Sequence, residues 1–427
     1  MLFRGVLDGV PITGSLKETS LSLAEDERYV VSWDLGGRLY SVWRFNRSWR
    51  RGLNGDVLYK WREGEDGRAS FAAGAASAAK DGRPTVSAYD ERQRQTMSAA
   101  AAAPVVDEAA AFASRVRQAM VSSPSGWAGS EETRGWNAFL HGLDACARFD
   151  STAAAADAAR FAAIYRPIGI LPPDQYLSVV LQATEGCSFG TCTFCDLYHD
   201  EYRVKTPAEF GEHTRAVLAY LGRSIALRRR SIFLGAANAL AVPMPRMVRL
   251  FEALRESFPA PVPPVRAFVD AFTGVHKEAA DYARLGTLGL SRVYVGLESG
   301  HDPLLAFVKK PGTSSQAVDT VASLKAAGVQ VGVIVMIGLG GQRFAAPHLE
   351  DTARAINAMR LGPGDILYFS DLVEVPGTSY PVVARESGLE PLDLRARLDQ
   401  LAALRARLAF PGRGPQLARY DVREFVY

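Results

Sequence analysis

Gln182-Ala-Thr-Glu-Gly-Cys187-Ser-Phe-Gly-Thr-Cys192-Thr-Phe-Cys195 is the most informative run in the chain. It gathers three of the four cysteines into a Cys-x4-Cys-x2-Cys cluster. An apolar, strand-like segment at residues 176–181 precedes it, so the thiols are expected on a loop at a strand end. Three thiolates this close can grip three corners of a cubane iron–sulfur cluster and leave the fourth iron without a protein ligand. Open metal sites carry chemistry, whereas closed ones are structural. The remaining cysteine, Cys146, lies far upstream without a CxxC partner. A zinc ribbon needs paired motifs, and only half of that pattern is present. Cys187, Cys192 and Cys195 are therefore the expected metal ligands.

Composition narrows the class. The chain has 427 residues, 48% of them hydrophobic, enough for a large core. No run reaches the ~18 to 20 apolar residues of a membrane span. Residues 1–8 lack a sustained apolar segment and a cleavage site, so the cytoplasm is the expected address. A net charge of +3 gives no global basic field. Nucleic acid stays open as a partner through the arginine-rich runs at 44–51 and 228–230, without being favoured.

Outward from the cysteines the pattern becomes regular. Strands are expected at 177–182, 231–234, 265–269, 292–296, 329–337 and 365–373, alternating with helices at 207–227, 245–256, 277–285, 316–327 and 347–360. Such alternation builds a parallel sheet from βαβ units. The expected fold class is α/β: a partial (β/α)6 TIM-like barrel with an N-terminal β-rich unit and a helical connector. The expected division is 1–62 as a small β-rich unit, 63–106 as an Ala/Gly-rich linker, 107–173 as a helical connector, 174–376 as the core barrel, and 377–427 as a C-terminal helix and edge strand. Within the first unit, strands are expected at 28–33, 39–45 and 57–61, with hairpin turns at Gly36-Gly37 and Asn54-Gly55.

The cysteine triplet with Phe194, the segment Gly296-Leu-Glu-Ser-Gly300 and the glycines Gly332 and Gly338 together resemble the radical S-adenosylmethionine (SAM) superfamily, in its Elp3, MiaB and NifB-like core. The resemblance covers about residues 174–376. Two departures stand out. The first cysteine gap is one residue longer than the commonest family spacing, and glycine at 190 can absorb the unusual backbone angle. Where the second strand of the family ends in a Gly-Gly-Glu-like segment, this chain has Gly235-Ala-Ala-Asn238.

The resemblance implies a [4Fe–4S] cluster on Cys187, Cys192 and Cys195, and SAM at the fourth iron. It places Phe194, Gly235, Asn238, Glu298 and Ser299 against SAM, with Lys309 and Lys310 near its carboxylate. Reductive cleavage to a 5′-deoxyadenosyl radical is the implied activity, fed by a one-electron donor such as flavodoxin or ferredoxin. The implied substrate is a small molecule or a modified polymer. Tyr198, His199, His348, Asp196 and Asp371 are candidates to face it, and no catalytic residue is singled out. A non-catalytic heme or metal chaperone on the same fold, and a tRNA-modifying enzyme, are the alternatives.

Overall fold

The computed structural model describes residues 1–26, 28–62, 93–129, 133–198, 200–375 and 377–427. The chain forms two compact units, Met1–Tyr165 with Ala216–Arg229 and Arg423–Tyr427, and Arg166–Arg215 with Arg230–Val422. No described helix is long and apolar enough to cross a membrane.

The first unit is built on eight strands paired in chain order, each antiparallel to the next: β1 (Leu2–Leu7), β2 (Val10–Leu16), β3 (Ser20–Glu25), β4 (Tyr29–Asp34), β5 (Leu39–Arg44), β6 (Arg47–Arg51), β7 (Val57–Trp61) and β8 (Gln93–Met97). The three expected strands are β4, β5 and β7. Alternation gives this sheet one apolar face, which must be covered. Phe3, Leu21, Leu23, Val31 and Trp33 supply that face. They share a buried cluster with Val106, Phe112, Val116 and Met120 of helix Ala99–Ser122 and with Phe139 and Leu143 of helix Thr133–Ala147. Phe3 and Phe139 stack at 4.5 Å.

This corrects two expectations. The helices of 107–164 do not merely connect; they are the other half of the sheet's core. Residues 63–92 of the expected linker lie outside the described residues, but 93–106 are β8 and the start of helix Ala99–Ser122. The alanine run 99–103 is strong helix former rather than linker, and Ser98 caps it by accepting from Ala101 N. The arginine run at 44–51 is largely spent inside the unit. Arg44 pairs with Glu108, Arg51 is buried 3.3 Å from Asp157, and Arg50 donates to Glu424 O.

The second unit carries a seven-stranded sheet, parallel throughout and paired in chain order: β9 (Val179–Gln182), then β12 (Ile232–Gly235), β13 (Val265–Val269), β14 (Leu290–Glu298), β15 (Gln330–Ile337), β16 (Ile366–Asp371) and β17 (Gln416–Tyr420). The intervening β10 (Thr184–Glu185) and β11 (Arg203–Val204) form a separate antiparallel pair. Helices cross between successive main strands, as at Met244–Ser257, Ser314–Ala326 and Gly341–Ala358. Apolar residues dominate β9, β12, β15 and β16, which are buried over nearly all their length, as expected of a sheet covered on both faces. Among the described residues no pairing joins β9 to β17, so the array is open, with the expected TIM-like order and one strand more than the expected six. The expected C-terminal edge strand is β17, parallel to β16.

Near the amino ends of these strands, Asp174 gathers four side chains from the sheet, besides its neighbour Gln175. Its carboxylate accepts from Tyr294 Oη (2.6 Å), Tyr368 Oη (2.7 Å), Arg266 Nη1 (2.9 Å) and Arg292 Nη1 (2.9 Å). The opposite, carboxyl ends are where parallel β/α folds build their sites.

Candidate functional site

The cysteines lie on the long loop after β9. Its neck is closed by the β10–β11 pair and by Glu185, whose carboxylate takes Arg203 at 3.1 Å and Lys205 at 2.6 Å. Burial works against the charge of Glu185, but the two cations outweigh it and hold the carboxyl down at about 2. Beyond the neck, Thr193 N donates to Val308 O (2.9 Å) and Thr191 Oγ1 to Lys309 O (3.0 Å), which docks the Cys192–Cys195 half of the loop. Gly190 has φ +65° with open space around its missing side chain, so the longer first gap is absorbed by backbone freedom, as expected. Cys187 and Cys192 are half-buried and Cys195 is exposed. Burial pushes the Cys192 thiol up to about 11; Lys310 opposes the shift, and the neighbouring thiols add to it.

Cys195 opens on a cavity of about 220 Å³ at the carboxyl ends of the strands. Phe194, Asp270, Gly296, Glu298 and Lys310 line it. Met336, Asp371, Val373, Val375, Tyr420 and Val422 belong to the same lining. Glu298 stands at a bulge, where Gly296 pairs with Ile334 but Glu298 pairs with Val335, and its backbone is left-handed at φ +57°. A side chain on Gly296 would meet the Glu298 carboxylate at 2.4 Å, so glycine there makes room for that group. Lys310 Nζ lies 3.8 Å from Glu298 Oε1. Burial raises the Glu298 carboxyl and Lys310 pulls it partly back. Burial also works against the Lys310 charge, yet Glu298, with Cys192, Asp270 and Cys195, holds that ammonium above its ordinary value.

The other expected residues separate. Gly235 ends β12 in register with Gln182 and faces a smaller neighbouring cavity. Asn238 is buried, and its amide is engaged by Ser188, Asp270 and Thr273. Ser299 is fully buried: its Oγ accepts from His301 N and bonds His348 Nδ1 at 2.8 Å. His348 is thereby a buried partner of Ser299 on helix Gly341–Ala358. Asp196, Tyr198 and Asp371 line the cavity, Lys309 does not, and His199 lies outside the described residues. Sequence reasoning passed over Tyr420 and Val422. Their signal was present, because an edge strand continuing a parallel sheet also brings its carboxyl end to this rim.

Residues 181–353 match the family model described as the Radical SAM superfamily. The chain carries a radical SAM domain. The match runs from the end of β9 into helix Gly341–Ala358 and so contains the cysteine loop, Glu298 and Lys310. Similar solved structures include the radical SAM methyltransferase TsrM from Kitasatospora setae (15% identity, 58% of this chain and 57% of that one, TM-score 0.41). They also include the coproporphyrinogen III oxidase HemN from Escherichia coli (15% identity, 58% and 54%, TM-score 0.39) and the methylornithine synthase PylB (12% identity, 57% and 70%, TM-score 0.38). The chain spans a little over half the length of the first and second of these. No curated protein matches it.

The cofactors of a radical SAM domain are a [4Fe–4S] cluster and SAM. The donor set fits them. Cys187, Cys192 and Cys195 share one loop, no other described cysteine belongs to this unit, and the loop opens on a cavity lined by the half-buried Glu298–Lys310 pair. Among the described residues no three His, Cys, Asp or Glu side chains converge on a single-ion site. A cubane asks for something different, one thiolate at each of three separate irons.

Proposed function

We propose that the chain is a radical SAM enzyme acting on a small molecule with an apolar reacting region. When bound, the cluster supplies the electron that cleaves SAM to a 5′-deoxyadenosyl radical able to take hydrogen from a substrate. Cys187, Cys192 and Cys195 would hold its irons. Glu298 and Lys310 offer an acidic and a basic group to SAM, in surroundings where low dielectric strengthens charge–charge interactions although it opposes each charge alone. Phe194 contributes an apolar wall. The single observation that carries the reading is the placement of three cysteines on one strand-end loop that opens on this cavity.

The rest of the lining supports the substrate class. Met336, Val373, Val375 and Val422 are apolar, and the Tyr420 hydroxyl donates to Leu171 O at 2.8 Å, so that residue offers its ring. Lys310 is already paired, and Asp371 is paired with Arg419, which leaves an acidic, apolar lining poorly suited to phosphate. A one-electron donor such as flavodoxin or ferredoxin completes the proposal. The test is anaerobic reconstitution with iron and sulfide, then dithionite and SAM. Release of 5′-deoxyadenosine supports the enzyme. A reduced cluster that leaves SAM intact points to a chaperone instead.

A further inference from the structure

The chain departs from its family at Asn238, and the structure shows what this side chain does. Asn238 is 2% exposed. Its Nδ2 lies within hydrogen-bonding reach of Ser188 Oγ (3.0 Å), Thr273 Oγ1 (3.0 Å) and the Asp270 carboxylate, which share its two N–H donors, while its Oδ1 accepts from Asp270 N (3.1 Å). One amide thus joins the residue after Cys187, the carboxyl end of β13, and the cap of helix Ala271–Gly274, where Asp270 accepts from Thr273 N at 2.7 Å. We propose that Asn238 is a positioning residue that fixes the Cys187 half of the cluster loop against the end of β13.

Two observations carry the proposal. The loop is held in halves: Thr191 and Thr193 tie the Cys192–Cys195 half to Val308 and Lys309, and the Ser188–Asn238 bond reaches the half containing Cys187. The chemistry also selects an amide. Asp270 presents a carboxylate needing a donor and a backbone N–H needing an acceptor, and an amide answers both at once from two separate atoms of one side chain. A carboxylate at 238 would set like charge against Asp270.

The proposal rests on the cluster being held by Cys187, Cys192 and Cys195. Wild type, Asn238→Ala, Asn238→Asp and the exchange Asn238→Asp with Asp270→Asn are reconstituted anaerobically. Each is measured for iron loss to bathophenanthroline disulfonate, for the electron paramagnetic resonance of the reduced cluster without SAM, and for melting temperature. Asn238→Ala and Asn238→Asp are expected to lose iron at least about tenfold faster, with a three-iron signal appearing. The exchange is expected to recover most of the loss, because carboxylate and amide then face each other with roles reversed and the Ser188 hydroxyl can turn to donate. Gly332→Ala is the stability control, since its side chain would meet Tyr294 at 2.3 Å, far from any cysteine contact. Iron loss and spectra equal to wild type in Asn238→Ala overturn the proposal, as does equally fast loss in Gly332→Ala at matched melting temperature. A wild-type chain that takes up no cluster overturns the functional reading itself, and the proposal falls with it.

Discussion

Glu298 combines a left-handed backbone, a bulge and a half-buried carboxylate at the cavity wall. A non-glycine residue held there costs of order 1 kcal/mol or more, and such residues gather at functional sites. Its partner is Lys310; Arg292 instead serves Asp174, Gln330 and Gly364 O. Glu298→Ala is expected to weaken SAM binding by about 1.5 to 3 kcal/mol while the cluster absorbance stays, read by calorimetry on reconstituted protein. Unchanged affinity with a lowered melting temperature would make Glu298 a fold residue. His348 carries a different expectation. Burial, and then the neighbouring His301, lower it from the ordinary histidine value to about 4. Between pH ~6.5 and 4 the unfolded chain therefore takes up a proton that the folded chain refuses, so this residue makes stability fall as pH falls through that window. By pH 5 the loss is about 2 kcal/mol. His348→Gln should lower stability at pH 7.5 but flatten its decline toward pH 5; an unchanged slope in urea titrations would reject the assignment.

At the scale of elements, Asp174 ties residues of β13, β14 and β16 to the turn that leads into β9. Removing the carboxylate leaves two guanidinium groups facing each other and two tyrosine hydroxyls without their acceptor. Asp174→Ala is expected to cost about 3 kcal/mol in urea unfolding, with the cysteine loop, at the other strand ends, chemically untouched. A loss within measurement error would show that the arginines find other partners. Most strands of this sheet were legible as short, predominantly apolar segments bounded by turn residues, and at Val265–Val269, which alternates in burial around Arg266, expectation and structure coincide. Two helix starts were not, and the cause is shared. Helix Ala99–Ser122 runs through Pro104 and helix Gly341–Ala358 through Pro347. Proline lacks the N–H and crowds the preceding turn, so a sequence reading starts the helix at or beyond it. Tertiary packing overrode that local rule: Phe344, on the turn before Pro347, is buried with Leu304 and Tyr380. In the first unit β3 was missed although Ser-Leu-Ser-Leu alternates, since short strands with small polar partners look like turns until a neighbour pairs with them.

For the whole molecule, the gathering of three cysteines on one strand-end loop was legible because their spacing is local, whereas the direction of each rim side chain was not. Phe194 and Glu298 reach the cavity, but Ser299, next to Glu298, turns inward to His348, because the bulge at Leu297 and the left-handed turn at Glu298 decide which side chain faces which way. Strand-end position alone cannot encode that choice. The cysteines do divide cleanly. Cys146 is buried in helix Thr133–Ala147 within the first unit, among Phe139, Leu143 and Phe149, and burial raises its thiol far above the usual range. It behaves there as a small apolar side chain. Cys187, Cys192 and Cys195 belong to the second unit and share one loop. Each of Cys187→Ala, Cys192→Ala and Cys195→Ala is therefore expected to abolish the cluster absorbance near ~400 nm or to leave a three-iron species, because each removes the only protein ligand of one iron. Cys146→Ala is expected to keep the cluster and to cost about 1 kcal/mol of stability through the small cavity it opens. Loss of the cluster in Cys146→Ala at unchanged melting temperature would contradict the division of roles. Stoichiometric zinc without labile sulfide in anaerobically prepared wild type would overturn the iron–sulfur assignment itself.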